Sequence, residues 1–380
     1  MKHRRWRDLA FTFHRWIGVV IATLLIFIGL TGSLLVFQAE IDGWLTERQF
    51  GTVTVASSEY LPAATILDIA KSTYPDWQPE NLYLPKDNHH PYKLRMTSAK
   101  ADDLVYLDGA HEVFIQPYTG IVMGDRLERF SFYRLLLNLH YRLFAEEIGI
   151  IIVGVASFLL LILCLTGLVL WTGWSKLING FKIKWNAHPQ RVNFDIHKVT
   201  GIIAVSFLTL TAATGFCWNF HDFSHSAIYA LTGSPIAPDP VSKPSIDRPD
   251  RGLTEIIRNA NLAFPDGVTT SVSIPTAPSE VFSVYKRIDR GLDYGNTIYL
   301  DRFSGQVIRI DDERKAALGD RIFSSFYPLH SGTFGGLLTR ILYVFVGLAP
   351  TILAITGFTM FRLRRGGKAT KKEARDYYSK

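Results

Sequence analysis

Four histidines in this chain stand in two matched settings, and both settings suit metal ligation. Segments 11–37, FTFHRWIGVVIATLLIFIGLTGSLLVF, and 194–220, FDIHKVTGIIAVSFLTLTAATGFCWNF, follow one pattern. Each has a histidine (His14, His197), a cation next to it, Gly at His+4, Thr-Gly at His+17 and His+18, and Phe at His+23. A second pattern puts Leu-His before Thr-Gly at His+26 and His+27: His140 with Thr166-Gly167, and His330 with Thr356-Gly357. His14 and His197 open uncharged runs of 22 residues, 16–37 and 199–220. At 1.5 Å per residue each run covers roughly 33 Å, enough to cross a bilayer, with Thr-Gly about 25 Å beyond the histidine. His140 and His330 precede two further apolar runs, 148–171 and 341–361. The spacing therefore predicts His14 and His197 at one membrane face and His140 and His330 at the other.

An ionisable group at membrane depth is costly and usually functional, and imidazole ligates haem iron. Two bis-histidine b-type haems, one near each face, account for all four positions. A single interfacial histidine beside Arg15 or Lys198 is more often a snorkelling anchor than a ligand; the matched foursome favours ligation. His221 and His225, at i and i+4 in HDFSH, rival the outer pair or form a separate metal site. The first copy has Gln38 where His221 stands. His89, His90 and His111 read as outer surface, and His3 and His188 as cytoplasmic surface. There is no nucleophile motif, P-loop, HExxH or GxGxxG after a strand, so an electron donor must come from elsewhere.

These histidines need a membrane bundle to position them. The 380 residues are 48% apolar, concentrated in the four runs, with polar stretches of over 100 residues inside the first and second pairs of runs. Lys2, Arg4, Arg5, Arg7 and Arg15 precede run one; Lys176, Lys182, Lys184, Arg191 and Lys198 link runs two and three; cations dominate the tail. The positive-inside rule places all three in the cytoplasm. The net charge of +7 is then a topology signal, and nothing points to nucleic acid. The first run is too long for a signal peptide and lacks a small-x-small site, so it is expected to remain as a helix. Cys164 and Cys217 fall within different runs, which excludes a CxxC centre and leaves the outer regions without disulfides.

The expected fold is an α-helical membrane protein: a four-helix transmembrane bundle from two tandem helix–module–helix repeats, with two small α+β periplasmic modules. The expected divisions are a cytoplasmic N-terminus 1–15, membrane helices 16–37, 140–174, 197–220 and 330–361, and modules 38–139 and 221–329. A cytoplasmic link 175–196 and a basic tail 362–380 complete the chain. In module one a helix is predicted at 61–74 and strands at 81–84, 92–96, 104–107 and 112–116. In module two a helix is predicted at 253–264 and strands at 268–274, 281–286 and 297–300. The turns Gln116-Pro-Tyr-Thr-Gly120 and Asp301-Arg-Phe-Ser-Gly305 match, each with glycine where positive φ is expected. Corresponding positions lie 183 residues apart for His14 and His197, and 190 for His140 and His330. Both copies start in the cytoplasm, a parallel repeat, with Gly18, Gly29, Gly32, Gly201 and Gly215 allowing close packing and room for macrocycles.

HRWIGVVIATLLIFIGLTG, the two LH…TG helices and the YTGIV and FSGQV turns resemble the PepSY-associated transmembrane proteins, also called iron-regulated membrane proteins. The resemblance covers about residues 8–365 and is nearest to inner-membrane ferric-siderophore reductases (FoxB-like). It implies two haem b groups in the bundle, passing electrons to a ferric siderophore in the periplasm of a bacterial inner-membrane protein. Flavodoxin-like domains fused to this unit in some relatives are absent, so the donor is unknown. Aromatics of the outer regions (Tyr74, Trp77, Tyr83, Tyr118, Phe303, Tyr327) form a docking surface or core. PepSY modules elsewhere associate with peptidase inhibition, so a membrane-anchored regulator without redox activity is the alternative. A permease for iron or haem is a third, disfavoured by the few polar residues within the spans.

Overall fold

The computed structural model describes residues 2–55, 59–98, 109–243, 251–288 and 296–377. The helices are α1 (Lys2–Leu35), α2 (Gln38–Phe50), α3 (Ala63–Thr73), α4 (Phe132–Tyr141), α5 (Glu146–Leu170), α6 (Leu177–Phe181), α7 (Pro189–Asn219), α8 (His221–Thr232), α9 (Leu253–Ala263), α10 (Leu318–Ser331) and α11 (Gly336–Tyr377). The strands are β1 (Trp77–Tyr83), β2 (Tyr92–Ser98), β3 (Ala110–Ile115), β4 (Val122–Leu127), β5 (Val268–Ser273), β6 (Phe282–Arg287), β7 (Thr297–Leu300) and β8 (Val307–Asp311). Two compact units result: Met1–Gln38, Leu136–Ala227 and Ser325–Lys380 form one, and Ala39–Leu135 with Ile228–Ser324 the other.

In the first unit, segments of α1, α5, α7 and α11 are long and apolar enough to cross a membrane: Arg5–Leu35, Glu146–Trp174, Pro189–Asn219 and Thr333–Leu363. Each of α1 and α7 packs on both α5 and α11, closing a four-helix bundle. Lipid offers no hydrophobic drive for this packing, so close backbone approach carries it. A Cβ on Gly29 would lie 2.4 Å from the Gly347 carbonyl oxygen. Ser33 Oγ then spans the seam, 3.0 Å from both Gly29 O and Val344 O, with its single proton shared between them. Between the bundle's ends lies an apolar cluster of Cys164, Ala204, Val205, Leu208, Val346 and Ala349.

Lys198 is buried, not a solvated cation. Its Nζ donates to Asn179 O (2.9 Å), Lys182 O (3.1 Å) and the fully buried Asp195 (2.9 Å), clamping the α6 segment against α7. A lysine so satisfied loses little by burial.

The second unit differs from the expected pair of modules. Its strands form one eight-stranded sheet in the order β4-β3-β2-β1-β5-β6-β7-β8. The β1–β5 junction aligns Asn81 with Ser273, Leu82 with Val272 and Tyr83 with Ser271. Each four-stranded half would otherwise expose an unpaired edge, and the two edges satisfy one another. Side chains alternate along the strands, so Leu82, Leu94, Met96, Val113, Val272, Val284, Ile298 and Leu300 share one buried cluster with Ile66 and Ile256 of α3 and α9. The expected strand at 104–107 lies outside the described residues.

Strands β4 and β8 and helix α2 were not expected from the sequence. The outer strands carry charge and little alternation, and α2 lacks an apolar stripe. Contacts from elsewhere hold them: Asp42 of α2 accepts from Arg126 of β4 at 2.8 Å, and Phe50 stacks near Phe114 at 4.9 Å. Gly120 and Gly305 do take positive φ, +73° and +67°. Their turns are tied alike, Gln116 Oε1 accepting from Tyr118 and Thr119 N–H, and Asp301 Oδ1 from Phe303 and Ser304 N–H.

Candidate metal centres

The bundle brings the four histidines together in pairs. His14 of α1 and His197 of α7 have ring centroids 6.2 Å apart, and His140 of α4 and His330 of α10 have theirs 6.1 Å apart. The ring planes cross at 83° and 80°. His14 and Thr31 sit 17 residues apart on α1, so the two centres are separated by about 25 Å along that helix.

Each imidazole is held by a Thr-Gly pair. Nδ1 meets a threonine Oγ1 in all four cases: His14 with Thr166 (2.9 Å), His140 with Thr31 (3.1 Å), His197 with Thr356 (2.8 Å) and His330 with Thr214 (2.8 Å). Every one of these hydroxyls donates its proton to the carbonyl four residues earlier, at 2.7–2.9 Å. A hydroxyl has one proton, so toward the ring it accepts, and Nδ1 carries the hydrogen. A carbonyl of the same turn reinforces this: Ile28 O lies 3.0 Å from His140 Nδ1, while the backbones of Leu163, Leu353 and Thr211 bond His14, His197 and His330. With Nδ1–H fixed, Nε2 bears the lone pair that a metal requires.

The glycine of each pair lies against the ring. A Cβ would meet Cε1 at 3.4 Å for Gly167 on His14, Gly215 on His330 and Gly357 on His197, and at 3.0 Å for Gly32 on His140. Sequence reasoning noticed the Thr-Gly pairs but gave them no partner. The fixed offsets were the signal, and only the fold shows that a Thr-Gly on one helix serves a histidine on another.

His140 and His330 do not open their spanning helices. Each sits near the end of a separate short helix, α4 or α10, joined by a turn to α5 or α11. Leu143, Phe144 and Glu146 in the first of these turns take positive φ, costing roughly 1–2 kcal/mol per residue. That explains the residues between each histidine and its apolar run: the helix must end and the chain turn back before the span begins. Asn219 Nδ2 secures one turn by donating to Ile150 O at 2.8 Å, and Tyr343 hydroxyl secures the other by donating to Leu329 O at 2.6 Å.

The structure does not bring His221 and His225 to a Thr-Gly pair. Their rings lie 5.6 Å apart on α8, and His221 is exposed beside Asp222. Among the described residues no group of three or more His, Cys, Asp or Glu side chains forms, so a separate metal site lacks a third ligand. His111 lies against Trp77 (centroids 3.9 Å) and Asp125 (3.1 Å), and His90 against Asp87 (2.7 Å). His188 caps α7, accepting from Gln190 N.

A family model described as the PepSY-associated TM region matches residues 11–364. The chain belongs to this family. No curated protein matches it. Membership and the four apolar helices together make it a multi-pass membrane protein.

The residues fit the haem that the family resemblance implies. Two imidazoles whose Nε2 atoms share one iron at about 2 Å each have centroids about 6 Å apart, as both pairs do here. Around His14 and His197 a cavity of about 750 Å³ opens, walled by Gly18, Gly201, Leu25, Val205, Leu208 and Pro350. Its volume lies within the range of roughly 300–1,000 Å³ that cofactor pockets occupy. Arg15, also lining it, has a buried Nε with no hydrogen-bond partner, suited to a haem carboxylate.

Proposed function

We propose that this protein is a di-haem b-type oxidoreductase of the bacterial cytoplasmic membrane that reduces ferric iron in a periplasmic siderophore and releases Fe(II). The observation that carries this reading is the repeated geometry of the two centres, with Nδ1–H tied down, Nε2 left as a donor, and an opposing ring about 6 Å away. His14 with His197 would hold one haem b and His140 with His330 a second. When bound, haem supplies reversible one-electron chemistry, and Fe(II) binds a hard oxygen chelate less strongly than Fe(III).

The protein's own share is to orient and insulate. The threonines fix each imidazole's tautomer and plane, the glycines let the ring sit close to the helix, and the cluster around Leu208 and Val346 makes the bundle interior apolar. That apolar interior also argues against a permease. Cations at the helix ends support cytoplasmic termini, so the His14–His197 centre would accept electrons from a cytoplasmic donor and the His140–His330 centre would face the periplasm. Cysteines introduced at Asn88 and Asp289 should then react with an impermeant reagent from outside, and one at Asn186 only after permeabilisation; the reverse pattern would invert the proposed electron path.

The decisive experiment is an absorbance spectrum of the purified protein before and after dithionite, followed by ferric siderophore. A b-type spectrum that reduces and then reoxidises on adding the chelate is expected. A colourless protein after expression with ample haem would refute the proposal and favour the anchored regulator.

A further inference from the structure

The eight-stranded sheet buries one cation between neutral partners. Lys286 on β6 is 5% exposed, and its Nζ donates to Asn261 Oδ1 at 2.8 Å and Phe264 O at 2.6 Å. Asp266, whose field reaches it, is paired with Arg314 at 2.7 Å. An ammonium has three hydrogens, so one is left without a protein acceptor among the described residues. Burial holds this lysine below its ordinary range, and Asp266 only partly opposes that. Beside it lies an open cleft of about 360 Å³, bordered by Leu84, Ile257, Pro265 and the exposed Val268, with Asn261, Thr269 and Lys286 as its polar side.

The other half of the sheet carries different residues at the corresponding positions. The turn Tyr74-Pro75-Asp76-Trp77 corresponds to Phe264-Pro265-Asp266-Gly267. Met96 lies opposite Pro79 in the β1–β2 pair, as Lys286 lies opposite Thr269 in β5–β6. In the first half the Trp77 indole packs between Tyr74 (4.4 Å) and His111 (3.9 Å), and Met96 is fully buried. In the second half the indole is replaced by Gly267, whose φ of +87° and contact at 2.5 Å to Arg287 O admit no side chain. The apolar methionine is replaced by the lysine. An indole and a thioether have been exchanged for an opening and a charge, and burying a charge without a counter-ion is costly.

We infer that this cleft binds the carboxylate of a small apolar acid, with the Lys286 ammonium as its counter-charge. A carboxylate oxygen would take the third ammonium hydrogen in a charge-assisted bond. The walls of Leu84, Ile257 and Val268 would cover an apolar body of a few carbons. One buried cation in a largely apolar site matches a monoanion better than a phosphate, which calls for more donors.

The test uses the full-length, detergent-solubilised protein and isothermal titration with isovalerate against its neutral isostere isovaleramide. Saturable binding of isovalerate is expected, at least tenfold stronger than the amide. Lys286→Met installs the residue of the sister site, so the fold should hold, as melting temperature and haem content will report, and isovalerate affinity should fall at least tenfold. Val268→Trp, at an exposed position on the rim, should occlude the cleft and weaken binding while leaving Lys286 in place. N-acetyl-leucinate run beside isovalerate identifies the source, tighter binding marking a peptide C-terminus and weaker binding a free short-chain acid. No saturable binding, equal affinity for acid and amide, or undiminished binding in both variants would overturn the assignment.

Discussion

Gly32→Ala tests the proposed orientation of the outer ligand with a single methyl group. The new Cβ would sit 3.0 Å from His140 Cε1, inside ordinary carbon–carbon contact. The ring cannot slide away freely, because its Nδ1 is bonded to Thr31 Oγ1 at 3.1 Å and to Ile28 O at 3.0 Å, both on the helix that carries the methyl. Overpacking of this kind costs about 1–3 kcal/mol. At 1.4 kcal/mol per factor of ten, haem affinity at that centre should fall roughly 5- to 150-fold. Gly215→Ala perturbs the opposing ligand, but its methyl meets His330 Cε1 only at 3.4 Å, so a loss of a few-fold at most is expected. The assay is haem per chain by pyridine haemochrome after extended washing, with dithionite difference spectra. Gly32→Ala should drop from about two haems toward about one, while Gly215→Ala stays near two. Equal retention in both variants would refute the claim that Gly32 and Thr31 set the position of His140; loss of both haems in Gly32→Ala would instead report a collapsed bundle.

Thr356→Val removes the hydroxyl that accepts from His197 at 2.8 Å but leaves the Leu353 backbone contact, so haem affinity at that centre should drop about tenfold, read by competition with an apo-globin acceptor. His197→Ala and His330→Ala should each block reduction of external ferric chelate by a cytoplasmic donor, yet only His330→Ala should slow reoxidation of dithionite-reduced protein by the chelate; identical reoxidation in the two would reject the assignment of the centres to opposite faces. In the sheet, burial pushes the Glu112 carboxyl up, but Lys93 at 2.8 Å and Arg126 at 2.7 Å outweigh it and leave it below the usual glutamate range. A depressed pKa adds stability above the ordinary carboxylate value, and that stability is lost as pH falls through the folded-state pKa. Glu112→Gln should therefore destabilise the protein by about 2–3 kcal/mol at pH 7, less than a fully buried pair because Lys93 is one-third exposed, and should flatten the fall in melting temperature below pH 4.5.

The spanning helices and the histidine pairs were legible because both depend on local, periodic information. Uncharged runs of 22 residues have one reading in lipid, and identical offsets in two copies align functional positions without any structure. The union of two modules into one sheet was not legible, since it rests on edge-to-edge pairing of β1 with β5 across almost 190 residues, and nothing in either strand's own pattern specifies its neighbour. The helices of His140 and His330 were missed for a related reason. Breaks do follow both histidines, Arg142 and Glu146-Glu147 after His140 and Ser331-Gly332-Thr333 after His330, but they do not by themselves say that a helix ends and the chain turns; the positive φ angles at Leu143, Phe144 and Gly332 show it. The burial of Lys198 was not legible because its partners Asn179 O and Lys182 O are backbone atoms, which carry no sequence signature.

The hydrogen bonds also divide the labour between the copies. His14 is held by Thr166 and His140 by Thr31, both within the first copy; His197 is held by Thr356 and His330 by Thr214, both within the second. Each copy thus fixes the tautomer and plane of its own two imidazoles, α1 and α5 serving the first copy as α7 and α11 serve the second. Each ring pair, in contrast, takes one histidine from each copy. A single copy would hold two correctly aimed rings facing no partner, and a bis-histidine centre arises only where the copies meet. Each ring pair therefore depends on a Thr-Gly lock from both copies, because losing any one leaves one of the two facing imidazoles loosely held. No such requirement binds the sheet, where each half has its own helix and turn. There Gly267 and Lys286 stand where the first half has Trp77 and Met96, and it is at that break in symmetry that the inferred carboxylate site lies.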